Sequence, residues 1–230
     1  MSRDPSTEST PDARDRRRDA KRDRILAGAI EAFAAQGFHR ARVSDVAKAA
    51  GVADGTIYLY FENKDELLAR IFEQTLERFW ERGEPYVYEA ERADEQLRRL
   101  VELHLKFLGE NRSLAAVFQV DLRHSPHFLG DVSRRVFRRH LDKIDVMIRL
   151  GQEQGVFAPD IPSAEGAKMV FGAIDQLVTS WVLSRRNYRL ESMVQVAQRF
   201  VTRAIAALDA PADVTDPPVE GPDAAPARPD

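Results

Sequence analysis

From about Ala20 to Leu208 the apolar residues recur at intervals of three and four, and no stretch alternates apolar with polar for long enough to make a strand. That pattern restricts the chain to helices, because it lays one apolar stripe along a helix but scatters over both faces of a strand. A first helix is predicted over about Ala20–Gln36, with Ile25, Leu26, Ala29, Ile30 and Phe33 as its stripe and Gly37 as a left-handed stop. A short helix over about Ser44–Ala50 turns Val46, Ala47 and Ala50 inward, and Gly51 makes a turn. A third is predicted over about Asp54–Phe61. A fourth starts at Asn63, whose side chain can cap it, with Glu66 completing a capping box. It carries Leu67, Leu68, Ile71, Phe72, Leu76 and Phe79 toward Gly83. Further helices are expected over about Ala93–Glu110, Ser113–Asp121, Pro126–Gln154, Ser163–Ser184 and Leu190–Leu208. The expected fold is all-α, with about nine helices.

Composition bounds the ends and the chemistry. Residues 1–19 are polar and charged, and residues 209–230 are rich in Pro, Asp and Ala, so both read as disordered tails. The 230 residues include no cysteine, which excludes disulfides, thiolate nucleophiles and cysteine-bound metal. With no long apolar run and no secretion signal, a cytoplasmic protein is expected, without a membrane partner. Net charge is −3, but residues 14–64 hold 11 Lys/Arg against 7 Asp/Glu, whereas residues 65–230 hold 22 against 27. A basic segment on an acidic body suits an anionic partner for that segment, and equally a solvated, charge-mixed surface. No nucleotide-binding loop, nucleophile elbow or metalloprotease pattern is present, so no catalytic residue is assigned and no enzyme is expected. His124 and His127 could share a helix face but lack further ligands, so no metal and no cofactor are expected.

The stretch GVADGTIYLYFENKDELL, residues 51–68, stops one helix after two turns and starts another at once. Wound as a helix, Asp54–Phe61 buries Ile57 and Phe61 and leaves Gly55, Thr56, Tyr58, Leu59 and Tyr60 outward. Gly55 permits close backbone approach, Thr56 and the early N–H groups suit phosphate, and the tyrosines offer hydroxyls and ring edges. Lys64 can add a phosphate contact. Such a face fits a major groove, which meets only about two turns of helix. The same spacing also fits a small helical corner whose tyrosines pack on neighbours.

The run from Ile25 to Leu68, with that stretch at its centre, resembles the DNA-binding domain of TetR-type bacterial repressors. The resemblance implies an all-helical homodimer that binds double-stranded operator DNA and is released by a ligand held in a variable body. By position it assigns DNA contact to Asp54, Gly55, Thr56, Tyr58, Leu59, Tyr60 and Lys64, and to Ser44 on the preceding helix. Most relatives carry threonines where this chain has Ala41 and Arg42, and one of those threonines caps the second helix, so Arg42 is assigned a phosphate contact instead. The implied domains are a helix-turn-helix DNA-binding domain over 20–64 and a helical ligand-binding and dimerisation domain over 65–208. The spelling from His39 to Lys64, with Asp121–Ser125 and Gly172–Val182, is similar to the fatty-acid-degradation regulators of the FadR type within this family. That similarity implies long-chain acyl-coenzyme A as effector.

An acyl chain needs a long apolar tunnel. Phe72, Phe107, Phe118, Phe128, Phe137, Phe171 and Trp181 could line one, and each suits plain core equally well. Leu122, Arg123, Arg138, Ile144 and Asp175 complete the expected effector contacts, with Arg134, Arg135 and Arg139 as further cations for the coenzyme phosphates. Val178, Trp181, Ala197, Val201, Ala204, Ile205 and Leu208 are the expected dimer interface, as parts of a four-helix contact. Two rival functions stay open at this level: a repressor answering another hydrophobic molecule, as efflux regulators do, and a helical lipid carrier that binds no DNA.

Overall fold

The computed structural model describes residues 13–121 and 131–207. In chain order the helices are α1 (Ala13–Gln36), α2 (Val43–Ala50), α3 (Asp54–Ile57), α4 (Lys64–Tyr88), α5 (Ala93–Gly109), α6 (Arg112–Ala116), α7 (Asp131–Glu153), α8 (Ser163–Leu183) and α9 (Val194–Ala204). A π-helical segment, Val117–Asp121, continues α6, and a 3-10 turn, Leu190–Met193, leads into α9. Among the described residues the one β feature is an isolated antiparallel bridge between Phe157 and Ala206. The expected all-α class is the one observed.

Helix α1 begins inside the segment expected to be a tail. Residues 14–21 are exposed and bury no core. Their Arg, Lys, Asp and Ala content tolerates a helix, and once the stripe from Ile25 onward has nucleated one, each further residue adds a hydrogen bond at little cost. The expected start of the long seventh helix, near Pro126, lies outside the described residues.

The N-terminal domain is held by close backbone packing and by its turns. A Cβ on Gly28 would meet the backbone N of Ala50 at 2.6 Å, so α1 and α2 cross at direct contact. Gly51 has φ 64° and the Val52 N–H returns to the Ala47 carbonyl at 3.0 Å, the left-handed closure that ends α2. The Arg24 guanidinium donates to the carbonyls of Ala50 and Gly51 at 2.9 and 3.2 Å, fixing that turn to α1. At α2 the cap runs backward: Arg42 offers no acceptor, and the Asp45 carboxylate accepts from the Arg42 N–H at 2.8 Å. At α4, Asn63 Oδ1 accepts from the Glu66 N–H at 2.8 Å. The Glu66 carboxylate reaches Glu62 N–H at 2.6 Å, one residue earlier than a capping box requires.

Two apolar cores result. The first joins Ile25, Leu26, Phe33, Phe38, Val46, Ile57, Phe61, Leu67, Leu68, Ile71 and Phe72, and it takes in Leu114 and Val117 from the body. The second joins Phe79 and Trp80 to α5, α7, α8 and α9. Helix α4 contributes its first half to one core and its second half to the other, so it is the rod common to both domains. Phe107 packs against both.

Candidate nucleic-acid interface and effector cavity

Helix α3 presents an open face. Ile57 and Phe61 are buried, while Tyr58 and Leu59 are 59% and 76% exposed. The α-helix covers only Asp54–Ile57. Beyond it, Leu59 and Tyr60 donate three residues back, to Thr56 and Ile57, so the expected two-turn helix tightens as it ends. A Cβ on Gly55 would meet nothing within 4 Å, which leaves room for an external surface to approach the backbone. Asp54, Ser44 and Arg42 are exposed, and Thr56 and Tyr60 are half-buried.

Lys64 departs from expectation. Its ammonium donates to the carbonyls of Phe38, His39 and Ala41 at 2.6, 3.2 and 3.0 Å and lies 4.5 Å from the Phe38 ring centre. All three donors are engaged within the protomer, so the residue assigned to phosphate braces the loop between α1 and α2 instead. The reason is tertiary: the loop's carbonyls face the start of α4, which the sequence places 23 to 26 residues away.

In the body, a cavity of about 50 Å³ is lined by Phe72, Thr75, Leu76, Phe79, His104, Phe107, Leu108, Phe118, Gln119, Phe137, His140, Phe171 and Asp175. It brings together six of the expected effector residues: Phe72, Phe107, Phe118, Phe137, Phe171 and Asp175. Their rings meet as pairs, Phe72 with Phe118 at 5.4 Å, Phe79 with Phe107 at 5.5 Å and Phe137 with Phe171 at 5.1 Å between centroids. The π-helical turn sets both Phe118 and Gln119 on the wall. Gln119 donates to Asp175 Oδ1 at 2.7 Å and accepts from Thr179 at 2.7 Å, which ties that turn to α8.

Other expected contacts fall elsewhere. Ile144 is sealed in the second core and does not reach the cavity. Trp181 is also core: its indole donates to the Tyr188 carbonyl at 2.9 Å and Arg112 lies 4.7 Å from its ring centre. Arg138 lines a separate cavity of about 330 Å³ between α7 and α8, with Arg134, Phe137, Asp142, Asp145 and Lys168. Phe137 is the wall shared by the two. Arg135 and Arg139 are exposed and line neither cavity. Leu122, Arg123 and Phe128 lie outside the described residues, as do His124 and His127.

The expected interface residues Val178, Trp181, Ala197, Val201 and Ile205 are buried inside the protomer and cannot present their side chains to a partner. Ala204 is exposed and Leu208 lies outside the described residues. The exposed apolar side chains of this region are instead Met169, Leu183 and Phe200, at 71%, 67% and 63%. The error is one of face: the more apolar stripe of each helix packs on its own protomer.

His104 and His140 were missed as cavity residues. Each interrupts an apolar stripe, His104 within Leu97–Leu108 and His140 beside Phe137, Leu141 and Ile144, which is the signal that could have found them.

With this geometry in place, residues 25–71 match the family described as bacterial regulatory proteins, tetR family. Residues 72–204 match the YsiA-like protein C-terminal region. The chain belongs to the TetR family. It is 35% identical over 169 residues to the fatty acid metabolism regulator protein of Bacillus subtilis (strain 168), covering 74% of this chain and 87% of that one. Among solved structures, the fatty acid degradation regulator FadR from Bacillus halodurans superposes with a TM-score of 0.73 at 36% identity, over 79% of this chain and 97% of that one. FadR from Bacillus subtilis in complex with stearoyl-CoA gives 0.75 at 33% identity, over 80% and 99%. The TetR-type resemblance drawn from residues 25–68, and the FadR-type similarity drawn from His39–Lys64 and two stretches of the body, are thereby borne out. This TetR-family protein is a DNA-binding transcriptional regulator with a helical body. Among the described residues no helix is long and apolar enough to cross a membrane.

Proposed function

We propose that this TetR-family regulator is a homodimeric repressor of fatty-acid degradation genes, released from operator DNA when long-chain acyl-CoA enters the aromatic cavity. One observation carries the reading: α4 bears Phe72, Leu76 and Phe79 on the cavity wall and, at its first turn, the Lys64 brace and Asn63 cap of the DNA-reading domain. A drug-sized or larger ligand needs roughly 300–1,000 Å³. The cavity holds about 50 Å³, so its rings must part to admit a chain. Parting them displaces α4, and with it the head. Effector thus prefers a different head position and shifts the population away from the DNA-bound form. The stearoyl-CoA complex of the Bacillus subtilis relative supports this choice of effector.

The coenzyme phosphates fit the α7–α8 cavity. Arg138 has no ion pair among the described residues, and Phe137 lines both this cavity and the aromatic one. A groove between α1 and α4 also shares Thr75 and Phe107 with the aromatic cavity. Its three arginines are already engaged there, Arg78 with Asp23, Arg82 with Glu110 and Arg24 with the Ala50 and Gly51 carbonyls. The dimer forms through the exposed stripe of α8, Met169, Gly172, Gln176, Ser180 and Leu183, together with Phe200 and Ala204 of α9. Pairing sets two α3 faces toward successive major grooves, about 34–36 Å apart.

The test uses operator fragments selected from genomic DNA, with anisotropy read against oleoyl-CoA, oleate and a cationic dye. Release by the thioester alone is expected, with steeply salt-dependent binding before it. Release by oleate or dye but not by oleoyl-CoA replaces the effector class. No salt-dependent DNA binding at all leaves a lipid carrier.

A further inference from the structure

Beside its aromatic rings, the cavity wall holds two imidazoles whose Nε2 atoms the fold leaves unsatisfied. His104 of α5 and His140 of α7 have ring centroids 6.2 Å apart and are 8% and 2% exposed. The Nε2 of each is buried with no hydrogen-bond partner among the described residues. The tautomer of His140 follows from its neighbour. An indole N–H can only donate, and Trp80 Nε1 lies 3.1 Å from His140 Nδ1. Nδ1 is therefore the acceptor, and the proton of the neutral ring sits on Nε2. Burial keeps both rings neutral, pushing His140 down to about 3 and His104 to about 4.

A buried N–H without an acceptor is costly, and folds rarely keep one without a use. Methylene groups of a fatty chain give it nothing. A carbonyl oxygen does. His140 lies one helical turn beyond Phe137, the wall shared with the cationic cavity, and nearly two turns beyond Arg134. It therefore lines the aromatic cavity close to the one wall residue shared with the α7–α8 cavity, between the places proposed for a phosphate head and an apolar tail.

We propose that the Nε2–H of His140 donates to the thioester carbonyl oxygen of the effector, with His104 completing the same polar spot, so that the cavity selects an acyl thioester over a chain lacking that oxygen. This rests on the acyl-CoA reading above and adds the group that the body recognises. The pair acts as a specificity contact within an otherwise apolar site. It also explains why two rings with an unpaired Nε2 are retained among Phe79, Phe107 and Phe171.

The test is calorimetric titration of the full chain with stearoyl-CoA and with S-octadecyl-CoA, the thioether that lacks only the carbonyl oxygen. The wild-type protein should bind the thioester at least about tenfold more tightly. In His140→Leu the gap should fall below about twofold, because thioester binding weakens while thioether binding holds, and circular dichroism confirms that the variant is folded. The wild-type comparison decides the matter even where the variant does not fold. Equal wild-type affinity for the two compounds overturns the carbonyl contact and leaves acyl-CoA as effector. A gap that persists in folded His140→Leu also overturns it. Binding of neither compound overturns the acyl-CoA reading, and the contact with it.

Discussion

Two residues of the DNA-binding domain, both assigned to DNA contact by position, differ in physical role. A Cβ added at Gly55 would touch nothing in the protomer. Gly55→Ala should leave Tm unchanged or slightly raised, since Ala is favoured over Gly in a helix by up to about 1 kcal/mol, while operator affinity falls because the methyl meets the duplex. Thermal denaturation and DNA anisotropy on the same variant check both halves. Lys64 is the reverse case. Lys64→Met removes the cation from three loop carbonyls and should lower stability by about 1–3 kcal/mol in urea unfolding. A phosphate contact would reduce the salt slope of DNA binding by about one on removal. A brace does not, so the slope of the remaining binding should stay as in the wild type. The legibility of these positions follows: exposure on α3 was readable from helical periodicity, whereas the engagement of Lys64 depends on a loop far away in sequence.

At the scale of elements, α4 is the part whose role exceeds its pattern. Its stripe announces an amphipathic helix, but the stripe serves two cores in succession. Phe79 sits where they meet, edge-on to Trp80, His104, Phe107 and His140 at 5.2–5.7 Å. Phe79→Ala should cost about 3–5 kcal/mol in urea unfolding and enlarge the cavity. Added acyl-CoA should recover part of that loss, since a ligand that binds the folded form raises its stability by mass action. Helices α8 and α9 carry the complementary lesson. Both have a strongly apolar face, and that face turned inward. The dimer surface proposed for them uses the weaker stripe, in which Met169 and Leu183 flank Gly172, Gln176 and Ser180 on α8 and Phe200 stands exposed on α9. Periodicity ranks faces by apolarity and does not say which neighbour each face meets.

At the scale of the whole molecule, two measurements test the assembly and its interior. Phe200→Glu sets a charge in the centre of the proposed interface and should convert a dimer to monomers in sedimentation, with operator binding lost while the helical signal remains. Acid stability tests the buried imidazoles. His104 and His140 are held near 4 and 3 by burial, with His104 and Lys143 lowering His140 further, against about 6.5 in the unfolded chain. Below pH 6.5 the unfolded chain takes up protons that the folded one refuses. Stability is therefore complete above pH 6.5 and falls as pH drops toward 4, by about 1.4 kcal/mol per pH unit for each imidazole. Unfolding free energy measured from pH 7 to 4 should show that slope, and the His104→Phe, His140→Phe double variant should flatten it.

By itself the sequence determined the helical class, the order of the elements and the exposed face of α3. Those depend on local periodicity, on glycines such as Gly51 that must turn left-handed, and on caps such as Asn63, all settled within a few residues. Tertiary structure alone decided that Lys64 braces a loop, that Trp181 and Val201 are core, and that Phe72, Phe107, Phe137 and Phe171 converge with two histidines on one cavity. A helix displays its side chains around a full circle, and which arc meets which partner is fixed only when every helix competes for the same buried volume.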